Sequence, residues 1–251
     1  MPNRLLIMVL AILSIMVIFT MVMAGMDGYV TLDVQHQRSE ARARGVLIAK
    51  QAEKLCDAWD FAGCEAGYER ALPFASATLS PVFIEELGDQ RDAALALSIV
   101  MSTEVPSAST LNKVKPLYSR LKTATGPLAR TAADALQIAT LRSTLGSIDA
   151  RVRAAQLAAT GSKNVFVTWQ RALIEHDDAR SAEAAALFEQ VLSERKDLPV
   201  AQLLLGITYM RLGRIDEARP LLLAALSTSE GAPDLRRIAR SHIEGGPPPP
   251  P

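Results

Sequence analysis

Residues 203–226 read LLLGITYMRLGRIDEARPLLLAAL. Gly206, Tyr209, Gly213 and Ala218 interrupt an otherwise aliphatic run at fixed offsets. Leucine and alanine are strong helix formers, and a glycine between two such runs marks a turn. The stretch therefore predicts two helices joined at Gly213. Its turn has an echo, because Leu212-Gly213-Arg214-Ile215-Asp216 repeats as Leu145-Gly146-Ser147-Ile148-Asp149, 67 residues earlier. That offset is close to twice a period of about 34 residues, a length at which helix hairpins stack into arrays.

The rest of the chain follows the same plan. Breaks at Ser80-Pro81, Pro106-Ser107, Gly126-Pro127 and Gly161-Ser162 divide the region after residue 40 into paired helical segments. Helices are expected over 41–58, 60–76, 80–101, 109–123, 127–145, 148–160, 165–176, 180–195, 199–212, 215–229 and 233–244. Asp60 is placed to cap the second helix, and Ser80 with Pro81 to open the third. Runs of β-branched residues bounded by turns are lacking, so the fold class is all-α. Short connections imply antiparallel neighbours.

Three copies share small residues at matching offsets. Ala172 and Ala184 occupy the two small sites in 165–198, Gly206 and Ala218 in 199–232, and Ala52 and Cys64 in an early copy counted from Gly45. Larger residues follow at Phe188, Leu222 and Tyr68, then Val191, Ala225 and Ala71, and Tyr209 holds an aromatic site. This pattern resembles the tetratricopeptide repeat family. It departs from it at Gln202, where the family has tryptophan, and at Glu230, where it has proline; Trp169 sits one residue off the pattern. The copies between 80 and 160 are degenerate. The resemblance implies an α-solenoid of about five hairpins over 41–244, in which small residues let two helices cross closely. A last helix, 233–244, caps the stack with Leu235, Ile238 and Ile243 inward and Arg236, Arg237 and Arg240 in water.

Ahead of the repeats, Leu5 to Ala24 is a run of 20 residues without a charge. As a helix it spans roughly 30 Å, the thickness of the hydrocarbon core. Residues 1–24 are expected to be a transmembrane signal-anchor and 25–40 a juxtamembrane linker. Arg4 precedes the span and the next base is Arg38, which points the N-terminus to the cytoplasm and the repeats to the far side, periplasmic or otherwise extracytoplasmic. A signal peptide cleaved after Ala24 is the rival reading.

Composition excludes several functions. Lysine plus arginine equal aspartate plus glutamate at 27 each, so nucleic-acid binding is not expected. His36, His176 and His242 do not converge, and Glu175-His176-Asp177-Asp178 reads as a solvated turn rather than a metal site. No phosphate loop, nucleophile elbow or HExxH occurs. Neither an enzyme nor a cofactor is therefore expected. Cys56 and Cys64, the only cysteines, flank the first hairpin turn. They are either a disulfide, allowed outside the cytoplasm, or two packed thiols.

In the family, the first helix of each hairpin lines a concave wall. Carried over, that wall is Phe166, Trp169, Leu173, His176 and Asp177, then Val200, Leu203, Ile207, Met210 and Arg211. An apolar helix or extended peptide suits such a groove; the alternative is that these side chains are buried against neighbouring hairpins or the cap, and for Trp169 groove and core are equally expected. The tail Gly245–Pro251, with five prolines, is expected to be disordered, with a polyproline II ligand as the alternative. The functional expectation is a non-catalytic scaffold or assembly factor of the bacterial cell envelope, recruiting protein partners at the inner membrane. A holdase for exported chains and an accessory subunit of a membrane enzyme are the alternatives.

Overall fold

A computed structural model describes residues 34–77, 80–102, 107–124, 126–160, 164–228 and 233–244. The expected anchor 5–24, most of the linker and the tail 245–251 lie outside the described residues. No described helix is long and apolar enough to cross a membrane.

The described residues form helices and no strand. In order they are α1 (34–57), α2 (Phe61–Ala77), α3 (Pro81–Met101), α4 (Ala108–Thr123), α5 (Pro127–Thr144), α6 (Ser147–Ala159), α7 (Val165–Asp177), α8 (Ser181–Glu194), α9 (Pro199–Arg211), α10 (Ile215–Thr228) and α11 (Pro233–Ile243). Their boundaries fall close to the breaks in the sequence, with one exception. Helix α1 is already helical at residue 34 rather than starting near Ala41. No proline or glycine interrupts 34–44, and local bonds hold that turn: Ser39 Oγ donates to the His36 carbonyl at 2.7 Å, and His36 Nε2 lies 3.3 Å from Glu40 Oε1.

The helix starts show how the sequence ends each turn. Asp60 Oδ1 accepts from Gly63 N at 2.9 Å and caps α2. Asn164 caps α7, accepting from Phe166 N and Val167 N, while its amide donates to the Thr131 carbonyl of α5 at 2.9 Å. Ser80 makes no capping bond with its side chain; Pro81, whose missing N–H would be unpaired anyway, sets the start of α3.

Three hairpin turns share one geometry. After α1, α7 and α9 the chain passes through a left-handed residue, Trp59 (φ 63°), Ala179 (φ 58°) and Gly213 (φ 76°). In each case the next N–H donates to the carbonyl five residues back: Asp60 to Leu55 at 2.9 Å, Arg180 to Glu175 at 2.8 Å, and Arg214 to Tyr209 at 2.9 Å. This is the Schellman closure, which satisfies carbonyls that a helix end leaves open. Glycine takes it without cost, whereas an L side chain costs about 1 kcal/mol.

The hairpins then stack side by side. All eight residues at the small and filling sites of the last two repeats, Ala172, Ala184, Phe188, Gly206, Tyr209, Ala218, Leu222 and Ala225, are buried. A methyl on Gly206 would meet Leu222 Cγ at 2.8 Å and the Ala218 carbonyl at 3.3 Å, so only glycine lets α9 and α10 approach this closely. Helix α3 touches α2, α4, α5 and α7, and thereby joins the first hairpin to the rest.

Cys56 and Cys64 form a disulfide across the first turn, with their Cα atoms 5.2 Å apart. The bridge closes a short loop, which in the chain-entropy account contributes about 2.5 kcal/mol. The double substitution Cys56→Ala with Cys64→Ala is expected to lower the stability read from urea denaturation by that amount. An unchanged midpoint under reducing conditions would contradict the assignment.

Candidate functional site

The expected groove is largely occupied by the chain itself. Trp169 has no exposed surface, and its Nε1 donates to the Val100 carbonyl at the end of α3 at 3.1 Å. Phe188 meets its ring edge-on at 5.7 Å. Phe166, Leu173 and Leu203 are buried as well, and Val200 is half-buried. Leu203, Ile207 and Met210 pack in a small core with Leu235, Ile238, Ala239 and Ile243 of α11. These residues do not form an open wall: the amphipathic last helix lies over the α9 part, and the end of α3 lies over Trp169. Arg211 remains exposed, with Nη1 reaching the His176 carbonyl at 3.4 Å.

The charged turn Glu175-His176-Asp177-Asp178 is solvated only in part: Asp177 and Asp178 are exposed, and His176 is half-buried. Glu175 is buried and takes both ends of the Arg151 guanidinium, Nε at 2.8 Å and Nη2 at 3.2 Å. Arg151 also pairs with Asp178, and the buried Arg142 pairs with Asp177. Both arginines come from the preceding hairpin, so the turn is where two repeats are fastened together. Sequence spacing could not show this, because the partners lie 24 to 35 residues away. Among the described residues no cluster of histidine, cysteine, aspartate or glutamate is arranged to hold a metal ion.

Burial pushes the Asp177 carboxyl up, but the nearby His176 ring, 3.7 Å away, and the Arg142 guanidinium outweigh it and hold the group below its ordinary value. A carboxyl lowered on folding stabilises fully above its unfolded pKa of about 4 and stops doing so as pH falls through the folded value. The melting temperature is expected to drop as pH is lowered below about 4, and Asp177→Asn should flatten that dependence. Circular dichroism melts of both proteins would check it.

A different cavity does open to solvent. It has a volume of about 510 Å³ and sits between α1, α2 and α3, bounded by Leu128 of α5 and Phe166 of α7. Five aromatic side chains, Trp59, Phe61, Tyr68, Phe83 and Phe166, line it. Trp59 stacks at a tilt on Phe166 with centroids 5.0 Å apart, and Phe61 meets Phe166 edge-on at 5.4 Å. These contacts seat the first turn on the start of α7. Arg195, at the end of α8, pins the same corner by donating to the Asp57 and Ala58 carbonyls at 3.0 and 2.9 Å.

The wall also carries charge. Glu53, Asp57 and Glu86 line the cavity and are exposed, with Lys50 as the one base among the lining residues. None of these four forms an ion pair with a described residue. Tyr68 is 5% exposed, and its hydroxyl makes no hydrogen bond to a described residue. Burial, then the charges of Glu53, Asp57 and Glu86, push the Tyr68 phenol up to about 12. The phenol therefore remains a neutral donor in the lining of an acidic, aromatic cleft. Of its aromatic residues only Phe166 is a groove candidate from sequence, and for a different wall. The signal available in the sequence is Trp59, a bulky residue where the matching turn has Gly213.

Residues 176–240 match the family model described as Tetratricopeptide repeat. The match covers the second helix of one hairpin, the whole of the next and most of α11. Tetratricopeptide repeats are in general non-catalytic and bind protein partners. No curated protein and no solved structure matches the chain.

Proposed function

We propose that this protein is a non-catalytic scaffold or assembly factor of the cell envelope, held in the inner membrane by residues 5–24, with its helical repeats on the extracytoplasmic side. The observation that carries recruitment is the stack of repeat hairpins, whose first three helices contribute most of an open aromatic cavity. Placement outside the cytoplasm is supported by the Cys56–Cys64 disulfide, since such bonds persist in oxidising compartments. The uncharged run Leu5–Ala24 and the late appearance of Arg38 support the anchor and its direction.

A holdase is the weaker reading. Such a protein needs a broad apolar trough, and α11 lies over the one that sequence suggested. Crosslinking in membranes followed by affinity recovery separates the two. A scaffold returns one or a few partners in fixed ratio, whereas recovery of many unrelated exported chains would replace the scaffold by the holdase. Protease added to spheroplasts tests orientation. Digestion of the repeats is the expected result, and their protection would place the domain in the cytoplasm.

A further inference from the structure

We infer that the cavity between α1, α2 and α3 receives the cationic side chain of a basic partner peptide, with arginine as the fitting residue. This rests on the scaffold reading and names the chemistry of the partner. Four observations converge. The cavity volume of about 510 Å³ is that of a ligand pocket. Five aromatic residues line it, of which Trp59 and Phe83 keep part of their surface open, and an aromatic ring attracts a guanidinium or ammonium through its quadrupole. Its rim holds three carboxylates against one lysine, and a carboxylate takes a guanidinium through two parallel hydrogen bonds. Its lining includes Tyr68, a residue 5% exposed whose hydroxyl makes no hydrogen bond to a described residue.

Trp59 adds a fifth argument. It stands half-buried in a left-handed conformation that glycine adopts freely, and it still carries the largest side chain there is. Its ring is stacked on Phe166 at the cavity wall. The matching turn at Gly213 closes with a glycine, whereas here the indole also packs on Phe61 and Phe166. A proline-rich segment also docks on aromatic grooves, but it brings no charge to meet Glu53, Asp57 and Glu86.

The test uses the full-length protein in detergent micelles and calorimetry with three short amidated peptides. One has a central arginine flanked by leucines, one has citrulline in its place, and one is pentaproline. The arginine peptide is expected to bind saturably, at least about tenfold more tightly than either of the others, and more weakly as salt is raised. The surface variant Glu53→Gln, Asp57→Asn, Glu86→Gln should lose about tenfold in affinity with an unchanged helical signal. Trp59→Gly, which relaxes the turn, should keep the helical signal and lose binding. Equal affinity for citrulline, tighter binding of pentaproline, no saturable binding, or full affinity in Trp59→Gly would each overturn the site. Membranes that still yield a fixed-ratio partner with the triple variant would remove the cavity and leave the scaffold. Arginine-peptide binding with no partner recovered from membranes would remove the scaffold and leave the cavity.

Discussion

Replacing Trp169 by alanine is expected to destabilise the protein by about 4 kcal/mol, because the substitution empties a large, fully buried site in the stack. The indole has no exposed surface, and α3, α7 and α8 meet around it. Its loss removes the edge contact with Phe188 and one of two donors to the Val100 carbonyl. Gln170 Nε2, at 2.5 Å from the same oxygen, keeps that carbonyl satisfied, so the cost is mainly the void. For a domain of this size the melting temperature should fall by roughly 10 °C. A melt is sufficient to check it. Unchanged melting together with lost partner recovery would instead make Trp169 a contact residue.

Gly67→Leu should cost about 3 kcal/mol or more by overpacking. A Cβ at Gly67 would lie 2.6 Å from the Ala52 Cβ and 3.1 Å from its Cα, so the obstacle includes the backbone of α1. The usual relief, a small separation of the two helices, is opposed by the Cys56–Cys64 bridge one turn away. Gly88 provides the contrast. Nothing lies within 4 Å of a methyl there, and α3 is helical on both sides, so Gly88→Ala should stabilise by up to about 1 kcal/mol. Urea denaturation of both variants checks the pair. Similar midpoints for the two would mean that α1 and α2 are not held at the stated distance.

Local rules carried the fold. Glycine and proline breaks, leucine-rich runs and small residues at matching offsets placed nearly every helix, because each of these acts within one hairpin. What they could not reach was how hairpins meet. Trp169 lies near a tryptophan site of the repeat pattern, yet its indole is under the end of α3, 69 residues away. The Arg142–Asp177 and Arg151–Glu175 pairs cross between hairpins in the same way. Leu203, Ile207 and Met210 looked like an open wall because periodicity alone does not say where the last helix lies. The cavity was missed for a related reason. Its aromatic residues come from separate helices and a turn, and none of them is spaced as a motif. The repeat pattern puts the small pair of the early copy at Ala52 and Cys64, whereas the tight approach of α1 and α2 is at Ala52 and Gly67, an offset outside that pattern.

Site-specific photocrosslinking in intact membranes tests the scaffold most directly. A photoreactive residue at Glu53 or Glu86, on the cavity rim, is compared with one at Ile148, which is 71% exposed on α6 and outside the cavity. One discrete adduct from the rim positions and none from Ile148 is the expected result. No adduct from the rim, or the same smear of adducts from all three positions, would contradict it.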